Sequence, residues 1–114
     1  MLGVVTQGDK TCAATEDALG TSSETGVFAL LCDLSNMVTS DVIQIRLKVK
    51  VRASGTGSTA RTVAYAQYSG AQTEPTDVVL GPVPSALEVT ATIKQTGTGA
   101  GGYKVVPWSL VRIG

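Results

Sequence analysis

The clearest pattern along the chain is the run Val42 to Arg52, V-I-Q-I-R-L-K-V-K-V-R. Ile43, Ile45, Leu47, Val49 and Val51 alternate there with Gln44, Arg46, Lys48, Lys50 and Arg52. Side chains of a strand alternate faces with period 2, so this run predicts a half-buried strand with an apolar and a basic side. A helix would scatter the same apolar positions around its circumference. A second alternation covers Ala86 to Gln95, with Leu87, Val89, Ala91 and Ile93 inward and Glu88, Thr90, Thr92 and Lys94 outward.

The remaining segments fit around these two. Gly26 to Asp33 is apolar on both faces, which predicts a strand covered on one side by core and on the other by a partner or an arm. Arg61 to Ser69 returns after the flexible loop Ser54 to Ala60 and forms a hairpin with the basic strand, placing Tyr65 and Tyr68 on opposite faces. Asp77 to Leu80 reads as a short strand before Pro82 and Pro84, which cannot donate to a ladder. Tyr103 to Ile113 is the last strand, with Pro107 breaking or bulging it at an edge and Trp108 the largest core candidate. Residues 1–25 have little periodicity and read as an extended arm, in which Thr15-Glu16-Asp17 suits the first turn of a short helix over Thr11 to Leu19. Five or six strands joined by Gly-rich loops predict an all-β fold. The expected architecture is a single antiparallel β-sandwich or jelly-roll-like barrel over 26–114, preceded by an N-terminal arm over 1–25.

Charge adds a second kind of pattern. The 114 residues have zero formal charge, so no global field draws the chain to nucleic acid or a membrane. The distribution is uneven: Asp9, Glu16, Asp17, Glu24, Asp33 and Asp41 face only Lys10 before residue 42, whereas residues 42–61 hold Arg46, Lys48, Lys50, Arg52 and Arg61 with no acid. An acidic arm and a basic sheet face can attract each other within one subunit or between neighbours. The opening M-L-G-V-V-T-Q-G-D-K has neither a basic n-region nor a long apolar run, so no secretory signal is expected, and no run approaches the roughly 20 apolar residues of a spanning helix.

Candidate chemistry changes the picture little. Gly97, Gly99 and Gly102 satisfy G-x-G-x-x-G, but a strand follows where the dinucleotide fingerprint needs a helix, so a hairpin loop is the reading. The chain has no His and no S-x-x-K, and its acids form no pair at acid/base spacing, so no enzyme, cofactor or metal site is expected. Cys12 and Cys32 read as two free buried thiols, with a disulfide between arm and first strand as the alternative. The cation row suggests phosphate binding, but none of the five aromatics lies within the basic strand to stack on bases. A protein-docking or solvated face is preferred over nucleic acid.

The order of segments carries one further signal. It runs V-F-A-L-L-C-D-L-S-N-M-V-T-S-D-V-I-Q-I-R-L-K-V-K-V (27–51), V-A-Y-A-Q-Y-S-G-A-Q-T-E-P (63–75), V-P-S-A-L-E-V-T-A-T-I-K-Q-T-G-T-G (83–99) and V-P-W-S-L-V-R-I (106–113). This order resembles small structural proteins of tailed-bacteriophage virions, with D-L-S-N-M, I-K-Q-T and P-W the most distinctive pieces. The resemblance covers roughly residues 24 to 113 and leaves the arm outside. It implies a head decoration or cement protein on the capsid exterior, made in the host cytoplasm and bound to the major capsid protein as a trimer or dimer. A tail or head-tail connector component, or a glycan- or DNA-binding module, are the alternatives. The interface residues expected on this reading are Arg46, Lys48, Lys50 and Arg52 on the basic strand and Asp9, Glu16, Asp17 and Glu24 on the arm.

Overall fold

The computed structural model describes residues 2–114. The described residues form eight strands: β1 (Gly3–Thr11), β2 (Asp17–Ser22), β3 (Gly26–Asp33), β4 (Val42–Val49), β5 (Arg61–Ser69), β6 (Asp77–Ser85), β7 (Val89–Gly97) and β8 (Val105–Arg112). They make two four-stranded sheets, ordered β1-β8-β3-β6 and β2-β7-β4-β5, in which every neighbouring pair is antiparallel. The expected β-sandwich is therefore what the chain builds.

The core lies where the alternation places it. Ile43, Ile45, Leu47 and Val49 of β4 pack with Val89, Ala91 and Ile93 of β7 from one sheet, and with Phe28, Leu30, Cys32, Val106 and Leu110 of β3 and β8 from the other. Each fully buried Ile or Leu contributes on the order of 1.5–3 kcal/mol relative to exposure. Strand β4 ends at Val49, so Val51 leaves the pattern and stands 76% exposed.

Of the arm expected over 1–25, the described residues 2–25 form two strands of the sandwich instead. Strand β1 pairs with β8 from Gly3↔Arg112 to Thr11↔Val105, and β2 pairs with β7 from Asp17↔Ile93 to Ser22↔Val89, so each closes one edge of a sheet. Both pairings are irregular, between Val4 and Thr6 and between Ala18 and Gly20, and such bulges erase the period-2 signal. The predicted boundary at 25 therefore falls inside the sandwich. The predicted helix over Thr11–Leu19 is absent as well: the chain crosses there between sheets, held by Cys12 N–H donating to Lys104 O and Gln95 N–H to Ala13 O.

Pro82 and Pro84 do not end β6. They lie within it, on an edge strand where the missing donors face no neighbour on one side. Pro107 likewise makes no bulge, and sits just past the last β3–β8 pair, Cys32↔Trp108. Trp108 is only half-buried; its indole reaches from β8 toward β2, and a Cβ on Gly20 would lie 3.1 Å from Trp108 Cη2. Gly8, its cross-strand partner, gives the ring room.

Candidate protein-docking interface

The outer side of β4 presents Gln44, Arg46 and Lys48, continued by Lys50, and β7 adds Lys94 opposite Gln44. These cations are not isolated. Lys48 pairs with Glu16 and Lys50 Nζ lies 3.6 Å from Glu88 Oε2, whereas Lys104, away from this face, pairs with the buried Asp41. The Arg46 guanidinium lies 4.8 Å above the Tyr65 ring, and its Nη2 donates to Gln44 Oε1 at 2.9 Å. Lys48 holds the Glu16 carboxyl below the usual carboxylate range. Each half-exposed ion pair is worth about 0–1 kcal/mol. Arg46, Lys48, Lys50 and Lys94 still outnumber Glu16 and Glu88, so the face stays positive.

The expected acid partners thus divide. Glu16 joins the basic row within the same molecule. Asp17 instead pairs with Lys10 at 3.7 Å, between the edge strands β2 and β1. Glu24 sits exposed in the β2–β3 turn, where its N–H donates to Ser22 Oγ. Arg52 lies beyond the end of β4, exposed in the turn that follows. Asp9 is on the other sheet altogether.

That second outer face has its own character. Across it the register aligns Gln7, Ser109, Leu31 and Val79 in one row, and pairs Asp9 with Pro107 and Asp33 with Asp77 in the next. Leu31 is 39% and Val79 63% exposed, so the outer apolar side of β3 is left uncovered. Gln7, Asp9, Leu31, Asp33, Asp77 and Pro107 border a shallow depression of about 410 Å³ that reaches down to Trp108. Asp33 and Asp77 stand directly opposite, a like-charge arrangement that costs about 0.2–1 kcal/mol. Asp33 accepts from Ser35 N–H at 2.9 Å, and its carboxyl is lowered by its hydrogen bonds to Ser35. None of the three aspartates makes an ion pair among the described residues. Asp33 and Asp77 were legible only as outward positions of period-2 strands, a signal too short in β6 to use.

A polar cluster inside one end of the sandwich was not anticipated. Asp41 is 0% exposed and Lys104 only 11% by side chain. Asp41 Oδ1 accepts from Gly99 N–H at 2.7 Å and Gln95 Nε2 at 3.2 Å, and Oδ2 accepts from Val38 N–H at 2.8 Å. Lys104 Nζ lies 3.1 Å from Oδ2 and also donates to Ala100 O and Gly102 O. Burial alone would raise the Asp41 carboxyl, but the hydrogen bonds from Gly99, Val38 and Lys104 outweigh it and the net shift is downward. The group ties the β3–β4 connection to the loop 98–104. Close by, Cys12 and Cys32 are free thiols, whose pKa values burial pushes up to about 11 and about 12.

No known protein family matches the chain, and neither does any curated protein.

Proposed function

We propose that this chain is a non-enzymatic virion structural protein, a capsid decoration or cement protein that binds the lattice of major capsid protein from outside and stabilises it. The observation that carries the reading is the order of segments from 27 to 113, which resembles that of small tailed-phage structural proteins. Its distinctive pieces meet at one end of the sandwich. Met37 is buried there, Gln95 binds Asp41, and Asn36 Nδ2 donates to Val105 O just before Pro107 and Trp108. The likeness is therefore one of scaffold, and the docking chemistry belongs to the outer faces, whose charge and exposed apolar groups suit wide protein contacts.

Mass spectrometry and cryo-EM of purified particles test the reading. Hundreds of copies on the head are expected. About a dozen copies at a vertex would make it a connector component, and absence from the particle would remove the proposal.

One observation favours a second reading. Tyr65 of β5 supplies beside Arg46 the aromatic that β4 itself lacks, and a basic groove with a stacking ring can hold single-stranded nucleic acid. Salt-dependent DNA binding that disappears when Arg46, Lys48, Lys50 and Arg52 become Gln would support it. Unchanged affinity in that variant would exclude the row.

A further inference from the structure

We propose that the two outer faces of the sandwich dock on each other in separate copies of this chain, the acidic depression of the β1-β8-β3-β6 sheet receiving the basic face of the β2-β7-β4-β5 sheet. The argument begins with the unrelieved acids. Asp33 and Asp77 oppose each other across a strand pair, Asp9 lies in the same row of the sheet, and all three lack a cation partner among the described residues. An arrangement that costs the isolated fold something is relieved when cations are brought to it. The chain itself carries the complement, because Arg46, Lys48 and Lys94 project from the opposite side of the sandwich.

Shape and apolar content agree with the charge. Beside those cations, at the β5 edge of the positive face, Tyr65 stands 48% exposed with its ring stacked on Arg46. Opposite it in the proposed contact lies the depression bordered by Leu31 and Pro107 with its rim of aspartates. The domain measures 44 × 28 × 18 Å between Cα extremes, the shortest extent being the thickness of two stacked sheets. A face spanning the two longer extents has room for the roughly 800 Å² per partner of a standard interface.

The two faces are different surfaces on opposite sides of the molecule, so the contact is heterologous. It does not close as a two-fold dimer, and it propagates copy by copy into a stack unless a rotation at each step makes a ring. This inference stands apart from the virion reading, since it concerns the purified chain alone.

Sedimentation velocity on the full chain tests it. At about 20 mM salt the sedimentation coefficient should rise with protein concentration, and at about 500 mM the association should weaken at least about tenfold, because the Debye length falls from about 20 Å to about 4 Å and screens the attraction of the faces. Asp9→Lys with Asp77→Lys makes both faces basic; Lys94→Glu with Arg46→Glu reverses two cations of the other face that make no ion pair. Each double variant alone should be monomeric and cooperatively folded, the Asp9→Lys, Asp77→Lys variant melting no lower than the wild type because its like-charge pair is gone. An equimolar mixture should associate again, since the untouched acidic face of one variant meets the untouched basic face of the other. A monomeric wild type at low salt, association surviving in either variant, or a mixture that stays monomeric would each overturn the proposal.

Discussion

Replacing Asp41 by Asn is the sharpest perturbation this fold offers. The side chain keeps its size, so no cavity opens, and only charge and one acceptor are lost. The wild-type carboxylate is surrounded by donors: Gly99 N–H and Gln95 Nε2 at one oxygen, Val38 N–H at the other, and Lys104 Nζ at both. Whichever way the Asn amide is turned, its NH₂ faces a donor, and the Lys104 ammonium loses its counter-ion in a site where it is 11% exposed. Removing one partner of such a buried pair costs about 3–5 kcal/mol. Urea unfolding followed by Trp108 fluorescence should place the midpoint about 2–3 M lower, at about 1.5 kcal/mol per molar for a chain of this size. Lys104→Met should cost less, about 1.5–3 kcal/mol, because the carboxylate keeps the Gly99, Val38 and Gln95 donors. The pH dependence supplies a second check. The folded carboxyl titrates below its unfolded value of about 3.9, so its stabilisation is present above that pH and fades as pH falls through the folded pKa. Wild type and Asp41→Asn should therefore differ at neutral pH and converge in acid below about pH 4. A neutral-pH cost below about 1 kcal/mol, or a difference that persists unchanged at low pH, would refute the assigned role of the pair.

Three further outcomes are expected. Gly20→Ala should destabilise by about 1–3 kcal/mol through overpacking and shift the Trp108 emission, since its methyl would meet Thr6 Cγ2 and the indole; an unaltered spectrum would contradict the packing of Trp108 between β1 and β2. Asp77→Asn should stabilise the chain by up to about 1 kcal/mol by removing the like-charge pair with Asp33, and a loss of stability in a urea titration would count against that repulsion. Cys12 and Cys32, with pKa values pushed up to about 11 and about 12, should react with a disulfide reagent at pH 8 only at the rate of unfolding, and a fast labelling phase would mean that one of them is exposed.

What was legible in the sequence follows from how regular each element is. Strand β4 is paired on both sides and half-buried throughout its length, so its apolar positions obey the pleat and announce themselves. The edge strands β1 and β2 bury little, carry bulges, and contain Gly8 and Gly20 where Trp108 needs space, so no periodic signal survives in them. The basic row was readable residue by residue, yet its pairing was not: Glu16 and Glu88 reach Lys48 and Lys50 from connections, and only the fold brings them near. Asp41 looked like one more acid in a turn. Its burial depends on Lys104 and Gln95, some 60 residues away, arriving at the same end of the sandwich.

The position of β8 has a consequence for how the chain is made. It lies between β1 and β3, so β1 has no sheet neighbour until Val105–Arg112 has been synthesised. At about 5–20 residues per second, Gly3–Thr11 waits several seconds for Val105–Arg112, with β3 open along the same side. Completion of that sheet is thus deferred until β8 is made, and a nascent chain stalled before residue 105 leaves β1 and the β8-facing edge of β3 unpaired instead of holding a smaller version of the fold.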